Sequence, residues 1–152
     1  MAIKMTTKTP ELDACFSKII AETDAKVLDM LAALGERCMD MSRRRMETDT
    51  FFNRMGNLRS SIGYAVAKDG QICKLSGFQV VLDGFDGANK GKAFATELAG
   101  SHSHGYSLDV VAGAEHASYV EAHDNKCVLK DAELFAEDEL PGMMRQLNFS
   151  TR

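Results

Sequence analysis

From Leu12 to Met41 apolar residues recur at steps of three and four: Leu12, Phe16, Ile19, Ile20, Val27, Leu31, Leu34, Cys38 and Met41. That period lays one apolar stripe along a helix of 3.6 residues per turn, and an alternating strand cannot carry it. The start is marked as well. Thr9 is available as N-cap, Pro10 suits the first helical position, and Glu11 and Asp13 face the positive end of the helix dipole. No proline interrupts the pattern before about Arg45. At 1.5 Å per residue such a helix is roughly 50 Å long, more than a domain of 152 residues needs. Either part of the stripe packs on a neighbouring subunit, or Gly35 marks a bend.

Beyond the helix the apolar period changes. Glu47 to Asn53 reads as a loop that ends at Met55-Gly56-Asn57. After a helical turn begun at Leu58, the residues Ile62, Tyr64 and Val66 alternate with small residues as a strand does. Lys68-Asp69-Gly70-Gln71 carries the Asp-Gly signal of a tight hairpin, so a second strand is expected through Ile72 and Leu75 as far as Val80-Val81-Leu82. Asp83 to Gly87 reads as a loop, and Ala88 to Ala99 as a short helix ended by Gly100. A strand over Tyr106 to Ala112, a helical turn over Ala114 to Ala122 and a short strand at Cys127-Val128-Leu129 come next. Asp131 is the expected N-cap of a last helix through Leu147, kinked at Pro141. The expected fold is α+β: a long N-terminal helix, a mostly antiparallel sheet with a β-hairpin, and one middle and one C-terminal helix. Residues 1–9 are expected to form a flexible leader, and 10–152 a single domain.

Composition narrows the class. With 45% hydrophobic and 26% charged residues the chain lies in the globular range, and it contains no run of about 18 apolar residues for a membrane span. Residues 1–9 lack the apolar centre of a secretory signal, so the chain is expected to stay in the cytosol where it is made. Cys15, Cys38, Cys73 and Cys127 are widely spaced with no Cys-x-x-Cys pair, which favours reduced, buried thiols. Nine methionines and no tryptophan suit adaptable packing and contact surfaces. The net charge of −4 is unevenly spread. Arg37, Arg43, Arg44, Arg45, Arg54 and Arg59 cluster centrally, while the stretch from Glu97 to Glu139 is dominated by acids. In a ring of identical subunits a basic edge could meet a neighbour's acidic edge, although scattered solvated charge accounts for the same pattern.

Two blocks carry a resemblance. The first is Arg54-Met55-Gly56-Asn57-Leu58-Arg59-Ser60-Ser61-Ile62-Gly63-Tyr64, and the second is Val110 to Glu121, with Ala117-Ser118-Tyr119-Val120-Glu121 at its end. Together, in that order and behind a long helix, they resemble the small tail-completion family (neck, or minor tail component) of long-tailed bacteriophages and prophages. The likeness runs from about Arg37 to Leu147. It departs from the family where Asp49-Thr50, often adjacent to the Gly of the first block, stands apart from Gly56.

The resemblance implies a structural virion protein, a head-tail connector or tail-completion component that assembles and performs no catalysis. It implies a ring of this chain with itself and contacts with tail-tube, tail-terminator or portal-side neck proteins. Weak contact with packaged DNA would run through Arg43, Arg44, Arg45 and Arg54. No membrane and no cofactor is implied, and the location is the virion tail or neck after assembly in the host cytoplasm. Gly56, Asn57, Leu58, Arg59, Ser60, Tyr119, Val120 and Glu121 are the expected assembly residues. By residue type, Gly56 and Asn57 suit a tight turn and Leu58 a core anchor. Arg59 suits an outward contact with a carboxylate, for which Glu121 is a candidate, and Tyr119 and Val120 suit apolar anchoring.

Chemistry has weaker footing. His102-Ser103-His104 puts two imidazoles on one side of an extended segment, with Glu97, Glu115, His116, Glu121, His123 and Cys127 near in sequence. A zinc site needs three or four of these to converge, and no helical His pair or paired Cys supports it. Ser60-Ser61 and Cys127 have no nucleophile context, Asp83 to Gly87 is too short for a calcium loop, and no phosphate-binding glycine loop occurs. The alternative reading is a small metal-dependent or nucleic-acid-binding accessory protein using His102 and His104 or the Arg43–Arg45 cluster. Cations at a helix C-terminus also complement its dipole without any ligand.

Overall fold

The computed structural model describes residues 10–48, 56–115, 117–118 and 128–147, with the backbone alone at 45–48. The leader expected over 1–9 lies outside these residues. Helix α1 spans Pro10–Thr48 and a short α2 spans Asn57–Ser60. Strands β1 (Ile62–Lys68) and β2 (Gln71–Gly77) form a hairpin, followed by α3 (Phe85–Ser101), β3 (Tyr106–Ala112) and α4 (Lys130–Gln146). The three strands are antiparallel in the order β2-β1-β3. The architecture is α+β, as the residue pattern predicts.

Strand β1 lies between the other two and is buried on both faces. Its even residues Ile62, Tyr64 and Val66 pack with Val27, Met30 and Leu31 of α1. Its odd residues Ala65 and Ala67 pack with Ala95 and Ala99 of α3. The sheet is thus covered by α1 on one face and by α3 on the other. Helix α4 lies beside α1, where Ala132 joins Leu34 and Cys38 in a smaller core. Arg37 adds a surface link to α4, with Nη1 2.9 Å from Glu139 Oε2 and its guanidinium 4.7 Å from the Phe135 ring centre. An exposed pair of this kind contributes about 1 kcal/mol or less.

The hairpin obeys its Asp-Gly signal. Asp69 and Gly70 both take positive φ, 51° and 77°, the combination that a two-residue turn of right-handed twist requires. The Asp69 side chain then accepts the Gly105 N–H at 2.8 Å, tying the turn to the loop before β3.

Several expectations are corrected. Gly35 lies inside α1, which is assigned as helix from Pro10 to Thr48. Its place is explained by the sheet: a Cβ there would fall 2.6 Å from Tyr64 Cδ2. Gly35→Ala normally gains about 1 kcal/mol in a helix. Here it should instead cost about 1–3 kcal/mol by overpacking, read as a lower denaturant midpoint. Strand β2 ends at Gly77 and does not reach Leu82, because Phe78 turns to φ 56° and its N–H bonds Ile62 O at 3.0 Å. Helix α3 starts at Phe85 and runs past Gly100 to Ser101. Val128 and Leu129 form no strand, and Val128 is buried in the core. Helix α4 begins at Lys130 with Leu129 at the cap position, so Asp131 lies inside the first turn, and the helix continues through Pro141. Of the thiols, Cys38 is buried but Cys15 and Cys73 are exposed, so burial holds for one of these three. Cys127 lies outside the described residues.

Candidate assembly surface

The first motif block is a clamp. Gly56 sits at φ 72°, and a Cβ there would lie 1.8 Å from Val81 O, so only glycine lets the two backbones meet. Leu58 is buried with Ala114 and Ala117. Asn57 turns its side chain away from its own helix and accepts the Gly87 N–H at 3.1 Å, in the first turn of α3. Ser60, fully buried, accepts the Val81 N–H at 2.9 Å. Three residues of the block thus grip the 78–87 segment through its backbone.

The gripped segment presents apolar side chains to solvent. Leu82 and Phe85 are each more than two-thirds exposed, and Val80 is exposed beside them. Phe78 and Leu82 hold φ near +55°, a conformation that costs a non-glycine residue about 1–3 kcal/mol and persists where the surroundings over-determine it. Strand propensity places Val80 to Leu82 in a strand and so misses this surface. The available signal is an apolar run followed closely by Gly84 and Gly87. Ser60→Ala should leave the Val81 N–H without its partner and cost about 1–3 kcal/mol. The check is faster hydrogen exchange at Val81 together with a lower denaturant midpoint.

The remaining motif residues divide. Arg59 is half-buried near Arg43. Tyr119, Val120 and Glu121 lie outside the described residues, as does Arg54, so the pairing of Glu121 with Arg59 or Arg54 falls there too. Arg43 does not face solvent with its neighbour: its Nη2 donates to Ile62 O at 3.1 Å and its Nη1 to Gln79 Oε1 at 3.4 Å. Burial, and then the charge of Arg59, push the Arg43 guanidinium below its ordinary pKa. Arg44 is exposed, and the Arg45 side chain is outside the described residues. The three-arginine patch is therefore divided, with Arg43 spent on joining α1 to the start of β1 and to Gln79.

The histidines are engaged differently from a metal site. His102 Nε2 lies 2.8 Å from Asp109 Oδ1, and Asp109 Oδ2 accepts from Ser107 at 3.1 Å. His104 is exposed. Among the described residues no group of three or more His, Cys, Asp or Glu side chains could hold a metal ion.

At the other end of the molecule α1 leaves the fold. Residues 10–22 are exposed throughout, and Leu12, Phe16, Ile19 and Ile20 continue the core stripe beyond the sheet that covers it. Asp24 is the root of this arm, accepting from Lys68 of β1 and Tyr106 of β3. These hydrogen bonds hold the Asp24 carboxyl below the usual range, while the bond to Asp24 raises the Lys68 ammonium. A lowered carboxyl stabilises above its unfolded pKa of about 4 and ceases to do so as pH falls through the folded value; a raised ammonium stabilises below about 10.4 and ceases to do so as pH rises through its own. The root should therefore hold across the range between. Amide protection near Asp24, taken relative to the intrinsic exchange rate at each pH, should fall below about pH 4, and Asp24→Asn should weaken that acid response.

Comparison with known proteins gives no match, whether to a family model, a curated protein or a solved structure. No described helix is long and apolar enough to cross a membrane.

Proposed function

We propose that this chain is an assembly subunit of a long-tailed phage or prophage virion, a head-tail connector or tail-completion component. Its work is contact, not catalysis. The observation that carries the reading is the clamp. A block resembling the family's own motif spends Gly56, Asn57 and Ser60 on fixing one segment, and that segment exposes Leu82 on strained backbone and Phe85 at the start of α3. A fold that holds apolar side chains outward at such cost is built to be covered by protein. The expected partners are further copies of this chain in a ring, and tail-tube, tail-terminator or portal-side neck proteins. Contact with packaged DNA would fall to Arg44 more than to Arg43, which is turned into the fold.

Light scattering with negative-stain microscopy over a concentration series tests the reading. Rings, or stoichiometric binding to tail or neck proteins from the same gene cluster, support it; a monomer that binds none of them overturns it. Leu82→Asp with Phe85→Asp should abolish that binding while leaving thermal stability nearly unchanged, since both side chains are solvent-exposed.

A further inference from the structure

The hairpin stops short of a longer one that its residues could make. Strands β1 and β2 keep one register from Gly63↔Gly77 to Val66↔Lys74, and the next bond in that register, Phe78 N–H to Ile62 O, is already made at 3.0 Å. On the other side of β1 the ladder also runs on, with Gly113 N–H donating to Ser61 O at 3.2 Å. There the sheet ends. Strand β1 is preceded by α2, a single turn of four residues, and β2 is followed by the gripped segment.

Continuing the register would set Ser61 opposite Gln79, Ser60 opposite Val80, Arg59 opposite Val81 and Leu58 opposite Leu82. The alternation fits. Directly opposed residues share a face of the sheet, so Leu58, Ser60, Val80 and Leu82 would follow Ile62 onto the face that α1 covers. Val80, Val81 and Leu82 carry side chains that suit strands. Phe78 and Leu82 would also exchange their φ of 56° and 54° for the extended angles that non-glycine residues prefer.

In the observed arrangement one side chain takes the place of that ladder. Ser60 Oγ accepts the Val81 N–H at 2.9 Å and donates to Val81 O at 3.5 Å. The hydroxyl thus serves both main-chain groups of Val81, one residue out of step with the ladder, which would bring Val80 to Ser60. Two further contacts hold this form. Asn57 accepts the Gly87 N–H, and the Phe78 ring lies over Gly63 and Gly91, where an added Cβ would fall 2.5 Å and 2.9 Å from it. The extended form loses these contacts and the turn of α2; it gains main-chain bonds and relaxes two strained residues.

We propose that residues 56–61 and 78–84 form a two-state element. One state is the locked form described above, with Leu82 outward. The other is an extended hairpin in which 58–61 and 78–82 lengthen β1 and β2, and Val80 and Leu82 turn onto the α1 face. With contributions opposed in this way, the extended form is a minor population on the order of 0.1–10%. The consequence is regulatory: only the locked form presents Leu82, so a partner that covers Leu82 selects it. The switch goes beyond the assembly reading and stands without it, since the two forms differ in backbone pairing whatever covers Leu82.

NMR relaxation dispersion on the isolated chain tests the proposal. Wild type should show microsecond-to-millisecond exchange at 57–61 and 78–84, with strand-like shifts for the minor form. Ser60→Val removes the hydroxyl and adds a strand-favouring side chain. It should raise the extended population by roughly tenfold or more, the factor that one lost buried hydrogen bond represents. It should also bring up the Hα–Hα contact between Arg59 and Val81 that the extended register requires. If Ser60→Val does not fold, Asn57→Ala, which releases Gly87, replaces it. Leu82→Gly removes the cost of positive φ from the locked form and should suppress the exchange. The proposal is overturned if neither wild type nor an unlocking variant shows exchange, if the minor form has random-coil shifts, or if Leu82→Gly leaves the exchange unchanged. A chain that switches yet binds no tail or neck protein supports the proposal while overturning the assembly reading.

Discussion

Tyr64→Ala is expected to remove about 3–5 kcal/mol of stability, the range for truncating a buried aromatic ring. A domain of this kind has about 5–15 kcal/mol in all, so the variant should be barely folded or unfolded at room temperature. The reasons converge on one side chain. Tyr64 is fully buried at the centre of the middle strand, among Val27, Met30 and Leu31 of α1. Its ring lies against Gly35, which has no side chain with which to fill a void. Its hydroxyl donates to Glu36 Oε1 at 2.8 Å, and Ser76 of β2 donates to the same oxygen at 2.9 Å. Burial first, and then the Glu36 bond, push the phenol above its ordinary pKa, so it stays a donor at neutral pH.

A conservative variant separates the two contributions. Tyr64→Phe keeps the ring and should cost only about 1 kcal/mol for the hydrogen bond. The close approach to Gly35 adds a second, sharper expectation. Gly35→Ala clashes with the ring, but in a Tyr64→Ala background that ring is gone, and the added methyl should become favourable. The double-mutant cycle should therefore show a coupling within about 0.5–3 kcal/mol, measured by denaturant unfolding. Additive effects would mean that the ring and the glycine do not share this space.

How far the residues alone lead depends on which interaction decides each element. Helix α1 and the hairpin are legible because local chemistry decides them: a long 3.6-residue period in one, and Asp69-Gly70 in the other. Gly35 is ambiguous in the sequence because a helical glycine can mark a bend or a close approach, and the close approach shows only through the ring of Tyr64, far along the chain. The end of β2 is misplaced for a similar reason. Val80, Val81 and Leu82 have strand propensity, but the clamp from Ser60 and Gly56 takes the backbone of Val81 out of the ladder. The motif residues themselves can be found in the sequence, while their task cannot. Asn57 looks like a turn residue, and its bond to Gly87 depends on a helix that starts three residues before the expected Ala88. Arg43 cannot be told from Arg44 by type, and only the position of Ile62 O and Gln79 turns it inward.

On the opposite face of the sheet, α3 supplies the second large effect, and packing there again overrides helix propensity. Gly87, Gly91, Ala95 and Ala99 recur every four residues along α3, and all are buried. They form a seam of small residues that lets the helix backbone approach the sheet closely, against Ala65 and Ala67. At Gly91 the approach is to backbone that cannot yield: a Cβ there would lie 2.3 Å from Ser61 O, and a Cβ on Gly113 would lie 2.4 Å from Gly91 Cα. Gly91→Ala should therefore lose about 3 kcal/mol or more, at or beyond the upper end of ordinary overpacking, although alanine is the better helix former by about 1 kcal/mol. Relief requires α3 to lift from the start of β1, and that movement reaches the clamp. Gly87, one turn earlier, would draw away from Asn57, and the loop bearing Leu82 and Phe85 would lose its fixed position. Gly100→Ala, near the C-terminal end of the same helix with open space around it, should behave in the ordinary way and be neutral or mildly stabilising. Comparing the two variants by thermal unfolding, and by binding to tail or neck proteins, separates packing from propensity. Equal responses would show that the seam does not set how closely α3 lies on the sheet.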